Sequence, residues 1–405
     1  MMDPAVEFNT ISPSERDHRW HRIRTMMTQR GIDWLLVSGN SGRWNEMNAN
    51  VRYLCGYADP LSGICYALFP LAGEGTLITQ MPAKRSLKAV TWFQDIRARS
   101  TADADKIIVE RLRAEGFEKG TIGLAGPTFG ARESIGLPWQ LYQAMASALP
   151  NVKMIDASDL FFELRSIKSA KEIRCMERSA EIADVGLEAH ITGFRHGMTE
   201  RAYYAAITHA VDCAGAEPPT FLLLESGPLG GKWPTQDPLP SNRILAKGDY
   251  VVSEVSPKFA GYQAQSLQCV VIGRAPDEML ELAKYGVEIW DKVAENLLPG
   301  RILADVLKTA DPIMARAQQK FGAKAAALTP HLSYAGLGGP DTSARPAEIR
   351  PHQAFMGEIG PQGGHGKPAP PWRINGGYCL ITTDGAPRHL HGKYPIDKRL
   401  VIEID

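Results

Sequence analysis

Two glutamates and a histidine are the residues of this chain best suited to chemistry. Glu254 ends the segment 248–254 (GDYVVSE), Glu358 lies in 354–359 (AFMGEI), and His331 follows a proline in 330–334 (PHLSY). Carboxylates can hold a cationic nitrogen compound or exchange protons with it, and a histidine can act as a base near neutral pH. Residues of these types can carry out acid–base chemistry.

Helix and strand signals alternate over the first 160 residues. Amphipathic helices are predicted over 15–30, 106–116 and 137–149, and short apolar strands over 33–38, 121–125 and 152–156. The segments 67–70 and 75–79 flank a glycine-containing turn, which indicates a hairpin. This alternation predicts an α/β domain over residues 1–160.

The rest of the chain, residues 161–405, repeats one order of elements. Ser169 and Glu172 have the spacing of a capping box, and Thr199 is the predicted N-cap of the next helix. Helix, glycine turn, helix and then strands occur again from residue 276 onward, which predicts an internal structural repeat. The segment 361–372 is a Pro- and Gly-rich loop, either a connector or a lid, and His389 and His391 are expected at the surface.

Composition excludes several classes of protein. With 405 residues, of which 44% are hydrophobic, the chain is long enough to form two domains. Its formal net charge is zero, so it lacks the excess of positive charge that binding to nucleic acid or to an anionic membrane requires. No apolar run is long enough for a membrane span, and the N-terminus lacks the pattern of a secretory signal. Six scattered cysteines without a CxxC pair predict buried, reduced thiols in a cytoplasmic protein.

Four segments resemble the creatinase / aminopeptidase P / prolidase family: 50–57 (NVRYLCGY), 164–173 (LRSIKSAKEI), 247–249 (KGD) and 261–262 (GY). They occur in the family's order along nearly the whole chain. The resemblance implies an α/β N-terminal creatinase-like domain (1–160) and an α+β C-terminal pita-bread catalytic domain (161–405) with an internal pseudo-twofold repeat. It also implies a homodimer.

Peptidases of this family hold two metal ions with Asp, Asp, His, Glu and Glu, in chain order. The positions that match them here are Glu254, Gln265, His331, Glu358 and the pair 376–377, which is Gly-Gly. A neutral amide and a glycine cannot replace bridging carboxylates, so the resemblance predicts a site without a dinuclear metal centre and without a cofactor.

The same resemblance implies a creatinase-like hydrolase, because creatinase and ectoine hydrolase are non-peptidase members of the family. Glu254, Glu358 and His331 are the expected catalytic residues of a metal-independent hydrolase that acts on a C–N bond of a small non-peptide molecule. For Glu254 and His331, a purely structural role is the alternative.

The expected substrate-binding residues are Trp233, Asp237, Tyr262, Gln265, Arg345, His365 and Trp372. Three other functions stay open: a lyase on the same fold, a metal-dependent Xaa-Pro peptidase, and an inactive pseudopeptidase that only binds.

Overall fold

The computed structural model describes residues 12–39, 48–58, 65–80, 91–98, 103–126, 137–230, 239–337, 348–360, 374–392 and 400–405. The chain divides into two compact units: the first comprises residues 1–166 and 337–343, and the second comprises residues 167–336 and 344–405. Within the described ranges, no helix has both the length and the apolar character needed to span a membrane.

The first unit is built on a six-stranded mixed sheet in the order β4-β3-β2-β1-β5-β6. The predicted hairpin is confirmed, because β2 and β3 pair antiparallel. The strands are β1 Trp34–Ser38, β2 Cys65–Pro70, β3 Thr76–Thr79, β4 Asp95–Ala98, β5 Gly120–Ala125 and β6 Val152–Asp156. The helices are α1 Pro13–Arg30, α2 Ala49–Cys55, α3 Ala104–Ala114, α4 Trp139–Ala148 and α5 Ser158–Ser166. The predicted domain boundary after residue 160 lies inside α5.

The second unit has a larger sheet whose main path is β12-β13-β14-β11-β8-β7, with β15 beside β14 and β16 beside β11. Its helices are α6 Ala170–Thr192, α7 Glu200–Cys213, α8 Asp277–Glu295, α9 Leu303–Lys308 and α10 Asp311–Phe321, followed by a 3-10 segment, Gly322–Leu328. Its strands are β7 Phe221–Pro228, β8 Asp249–Ser256, β9 Lys258–Phe259, β10 Tyr262–Gln263, β11 Ser266–Ile272, β12 Pro330–Tyr334, β13 Ala354–Ile359, β14 Gly376–Ile381, β15 Arg388–His389 and β16 Val401–Ile404. Helices followed by strands occur twice, in the predicted order.

Local signals fix the first two helices of this unit where the sequence predicts them. The Ser169 hydroxyl accepts a hydrogen bond from the Glu172 amide (3.2 Å), and the Glu172 carboxylate accepts one from the Ser169 amide (2.8 Å). This is the predicted capping box of α6. Thr199 caps α7 by accepting a hydrogen bond from the Ala202 amide at 3.1 Å.

One face of the large sheet is covered by helices. Alternate residues of β7, β8 and β11 form an apolar cluster with α6 and α7: Leu222, Leu224, Val251, Val255, Val270 and Ile272 on the strands, with Ile182, Tyr203, Ile207 and Val211 on the helices. On the other half of the sheet, Trp290 of α8 lies directly against Gly357 of β13. Because side chains alternate along a strand, the residues between these positions point to the opposite face.

The contact between Trp290 and Gly357 leads to a prediction about stability. A Cβ at Gly357 would lie 1.9 Å from the buried indole ring of Trp290, so Gly357→Ala forces the helix away from the strand that carries Glu358. We expect the free energy of unfolding in urea to fall by about 1–3 kcal/mol. Gly385→Ala is the matched control, since a Cβ at Gly385 meets nothing within 4 Å. Equal stability of the two variants would contradict the tight packing of α8 on β13.

Candidate active site

Five strands of the second unit contribute one residue each to a single row across the sheet. The row runs from Glu254 on β8 through Leu267, Gly377 and Glu358 to His331 on β12, each residue paired directly with the next. Directly paired residues of antiparallel strands point to the same face of a sheet. Glu254, Glu358 and His331 therefore share the face opposite the helices.

The spacing along this row separates two groups of functional side chains. Three strand spacings lie between Glu254 and Glu358, about 14 Å between Cα atoms measured along the sheet. His331, in contrast, is the direct neighbour of Glu358, with Cβ atoms about 5 Å apart. The row thus has a histidine–carboxylate pair at one end, a single carboxylate towards the other, and no polar side chain between them.

The two ends of the row also differ in burial. Glu254 is buried at 5% exposure, whereas Glu358 and His331 are only partly buried. Within the described part of the chain, neither the Glu358 side chain nor the His331 side chain forms a hydrogen bond or an ion pair. Both side chains are therefore available to a bound molecule.

The glycine pair on β14 contributes no side chain, because the neighbouring residues approach its backbone closely. Gly376 pairs with Ile359 and faces Leu400, whose Cδ2 would lie 2.4 Å from an added Cβ. Gly377 is the one that stands in the row beside Glu358, and a Cβ there would lie 2.5 Å from the carbonyl oxygen of Gly357. Even an alanine at Gly377 would require the neighbouring strand to shift.

Gln265 lies two residues before Leu267 and is buried at 1% exposure. Its backbone N–H donates to the sulfur of Cys379 at 3.3 Å, where β11 and β14 separate. Neither polar atom of its side-chain amide has a hydrogen-bond partner among the described residues. Gln265 thus places a neutral amide, without hydrogen-bond partners among the described residues, at the position that by resemblance matches a metal-bridging carboxylate.

A buried ion pair lies behind Cys379. Nδ1 of His391 is 2.9 Å from the Asp184 carboxylate, which also accepts the Gly392 amide at 2.9 Å. Burial alone would lower the pKa of His391, but hydrogen bonds to Asp184 and Cys379 outweigh it and raise this pKa to about 9. His391 is only 5% exposed, so the expectation that it lies at the surface is wrong.

Tyr262 has a structural partner in this fold. Its side chain is buried at 1% exposure, and its hydroxyl donates to the Glu172 carboxylate at 2.6 Å. Glu172 is the residue that caps α6, so Tyr262 ties the β10 segment to the start of that helix. This contact does not support the predicted role of Tyr262 in substrate binding.

The remaining predicted substrate-binding residues lie outside the described residues. They are Trp233, Asp237, Arg345, His365 and Trp372. Their roles stay predictions.

The described residues do not fit the dinuclear metal centre that the resemblance implies for peptidases. No group of three or more His, Cys, Asp or Glu side chains within the described ranges is placed to hold a metal ion. The donor types agree with this, because Gln265 is a neutral amide and Gly377 has no side chain to offer.

Two residues of this region escaped sequence analysis. Asp184 lies on α6, 207 positions from His391, and nothing local in the sequence indicates their pairing. Glu225 is a carboxylate buried at 2% exposure within β7, an otherwise mostly apolar strand. A charged residue inside an apolar strand could have been singled out from the sequence, because carboxylates are rarely buried without a partner or a function.

Comparison with known families identifies both parts of the chain. The Creatinase/Prolidase N-terminal domain family matches residues 19–167, and Metallopeptidase family M24 matches residues 174–360. Together these adjacent matches cover far more than half of the chain. The chain combines a Creatinase/Prolidase N-terminal domain with an M24 metallopeptidase domain.

Relatives of this M24 protein differ in activity. A Xaa-Pro dipeptidase of Pyrococcus horikoshii is 24% identical over 280 residues, covering 69% of this chain and 71% of the relative. A creatinase of a Bacillus species is 23% identical over 315 residues, covering 73% and 70%. An ectoine hydrolase of Halomonas elongata is 23% identical over 367 residues, covering 84% and 86%.

Solved structures confirm the pita-bread fold. A prolidase of Thermococcus sibiricus has a TM-score of 0.76 at 19% identity and covers 96% of this chain and 99% of its own. An X-Pro aminopeptidase of Thermotoga maritima has a TM-score of 0.74 at 18% identity and covers 95% and 99%. The predicted fold class is therefore correct for both domains.

The ion pair of His391 leads to a prediction about pH. Its folded-state pKa of about 9 lies above the ordinary value of 6.5, so its stabilisation is complete below about pH 6.5 and is lost as the pH rises towards 9. Asp184→Asn should lower the free energy of unfolding by about 3 kcal/mol near pH 6. In this variant the free energy of unfolding should also fall less between pH 6.5 and pH 9 than it does in the unmodified protein. Urea denaturation across this range measures both effects.

The matched control is Asp305→Asn, which removes an exposed pair with Lys308 (2.8 Å). It should leave the pH dependence of stability as it is in the unmodified protein. If Asp184→Asn keeps the same decline between pH 6.5 and 9, another group must titrate in its place.

Proposed function

We propose that this M24 hydrolase cleaves a C–N bond in a small, cationic, non-peptide molecule without a dinuclear metal centre. The observation that supports this most is the row on the open face of the sheet, with the His331–Glu358 pair separated from Glu254 by two strands. In this proposal a small molecule is held at the Glu254 end and cleaved at the His331–Glu358 end.

The roles of the residues follow from their places in the row. Glu254, which is buried, binds the positively charged nitrogen group of the substrate. At the partly exposed end, His331 takes a proton from a water molecule, and the water oxygen attacks the carbon of the C–N bond. The bonding electron pair leaves with the nitrogen, which takes a proton from the carboxyl group of Glu358. Proton transfer from His331 back to Glu358 restores the starting state, over a cross-strand distance that one water can bridge.

The creatinase and ectoine hydrolase relatives support this class of substrate, since both names refer to small nitrogen compounds. A metal-dependent Xaa-Pro peptidase is the second candidate, because Xaa-Pro dipeptidases are also among the relatives. Gln265 and Gly377 favour the first, since neither supplies the negative charge that two divalent cations need. A small-molecule partner, a homodimer and a cytoplasmic location stay predictions.

Turnover tests the proposed roles directly. Purified protein should be incubated with amidine, guanidine and cyclic amidine compounds and, separately, with Xaa-Pro dipeptides, with products followed by mass spectrometry. For whichever compound turns over, we expect Glu358→Gln and His331→Gln each to lower kcat by about a hundredfold or more. The exposed Glu288, which pairs with Arg316 on the outer helices, gives the matched control Glu288→Gln with unchanged kcat.

The identity of the product separates the alternatives. Hydrolysis adds one water to the sum of the products, whereas a lyase releases an unsaturated product without taking up water. An unchanged kcat in Glu358→Gln would refute the proposed role of this carboxyl group, and absence of any turnover across the panel would favour a binding protein.

Metal analysis separates the small-molecule hydrolase from the peptidase. We expect protein purified without chelators to hold less than one equivalent of transition metal, and activity to survive dialysis against EDTA, because a bridging pair of carboxylates is missing. Elemental analysis of the same preparation used for turnover measures this. Two equivalents of metal, together with EDTA-sensitive cleavage of Xaa-Pro dipeptides, would establish the peptidase instead.

A further inference from the structure

The sulfur of Cys379 lies at the fork where β11 and β14 separate. Among the described residues these two strands share one directly paired position, Leu267 with Gly377, and Cys379 follows Gly377 by two residues. Its sulfur accepts the backbone N–H of Gln265 at 3.3 Å, whereas the thiol can donate to the Gln265 carbonyl oxygen only over 3.9 Å. The closer contact is thus an N–H donor, which favours negative charge on the sulfur.

A buried ion pair adjoins this sulfur. Nδ1 of His391 is 2.9 Å from the Asp184 carboxylate. Although burial opposes it, hydrogen bonds to Asp184 and Cys379 raise the pKa of His391 to about 9, so the ring is protonated at neutral pH. The imidazolium therefore offers the sulfur a second N–H donor, at Nε2.

These side chains have the chemistry of an activated thiol. The thiolate is the nucleophilic form of cysteine, and a neighbouring imidazolium stabilises it. Here the Asp184 carboxylate holds the imidazolium of His391 in place, as the orienting group of a cysteine–histidine pair does in nucleophilic catalysis. Because Cys379 is 0% exposed, a reactant must be about as small as water to reach it without a large movement of the strands.

Polar atoms on both residues that act on the sulfur lack partners. Gln265 is 1% exposed, and neither its side-chain oxygen nor its side-chain nitrogen has a hydrogen-bond partner among the described residues. Nε2 of His391, also buried, has no nitrogen or oxygen partner in the described part of the chain. Since such atoms are costly to bury, an oxygen atom added to the Cys379 sulfur would meet groups that can hydrogen-bond to it.

We propose that Cys379 is a site of reversible oxidation by hydrogen peroxide, activated by the Asp184–His391 pair. The thiolate sulfur attacks one oxygen of the peroxide, so an S–O bond forms and the O–O bond breaks. The departing hydroxide takes a proton from His391 and leaves as water, and His391 regains a proton from solvent. The sulfur is oxidised to a sulfenic acid while the peroxide is reduced, and a thiol reductant restores the cysteine.

The position of Cys379 gives this oxidation a consequence for the candidate active site. The pair of Leu267 and Gly377 joins the half of the row that carries Glu254 to the half that carries Glu358. An oxygen atom added at the fork enters two residues from that pair and crowds the two strands. Oxidation would therefore disturb the spacing of the two glutamates.

Cys55 is the matched comparison within the same chain. Like Cys379 it is 0% exposed, so peroxide reaches either sulfur only through the protein. Burial raises the pKa of the Cys55 thiol to about 12, so this residue stays protonated at neutral pH. The two cysteines have the same exposure, and only Cys379 adjoins an imidazolium.

The experiment compares the oxidation of these two cysteines in the folded, full-length protein. The protein is treated with hydrogen peroxide at neutral pH, and catalase removes the excess. Dimedone is then added in excess together with urea, so that every sulfenic acid is labelled after unfolding, and peptide mass spectrometry gives the labelled fraction against time. We expect Cys379 to be oxidised at least about tenfold faster than Cys55.

Variants test the part played by the ion pair. His391→Gln should slow the oxidation of Cys379 by about tenfold. The rate at Cys55 should not change, which shows that the variant has not opened the protein to peroxide. Asp305→Asn, which removes the exposed pair with Lys308, should leave both rates unchanged.

Three outcomes would overturn the proposal or part of it. Equal rates at Cys379 and Cys55 in the unmodified protein would refute the site, and this comparison needs no variant to fold. Labelling confined to Cys213, which is exposed, would refute it as well. An undiminished rate at Cys379 in His391→Gln would show that His391 does not activate the thiol.

The readout does not depend on the proposed reaction. Oxidation of Cys379 that requires His391 would support this site even if no compound turned over. Turnover by a protein whose Cys379 resists peroxide would support the hydrolase and refute the oxidation site.

Discussion

Antiparallel strand register is the constraint on which the rest of the catalytic domain depends. Slipping any strand of the row by one residue would turn its functional side chain towards the helices and an apolar one towards the open face. The register is held from the covered face, where residues such as Val255 and Leu224 pack under α6 and α7, and where Gly357 admits the ring of Trp290. Packing on the helix side of the sheet therefore fixes which residues of β8 and β13, Glu254 and Glu358 among them, face the other way.

Sequence patterns predicted the parts of this arrangement that depend on neighbouring residues. The capping box at Ser169, the cap at Thr199 and the hairpin of β2 and β3 each need only a few consecutive residues, and each occurs as predicted. Family resemblance supplied the overall fold, which short-range patterns alone could not do.

Pairing between distant segments could not be predicted in the same way. An apolar run indicates a strand but not which strand lies next to it, so the row from Glu254 to His331 became visible only in the structure. The pairing of His391 with Asp184 joins two segments with no shared pattern, and its burial contradicted the expectation for a histidine near a turn.

Leu267 and Gly377, the two residues between the glutamates, have a consequence for substrate length. Both strands that carry them are fixed by backbone hydrogen bonds, so the separation of the charged end from the cleaved end is set by strand spacing and not by flexible side chains. In the proposed reaction, the Cα positions of Glu254 and Glu358 are therefore fixed, and only the length of a side chain can change the distance between the charged group and the cleaved bond. New substrate lengths in such a protein would then arise from residues that change how far a side chain reaches, such as glutamate replaced by aspartate, more readily than from any change in the sheet.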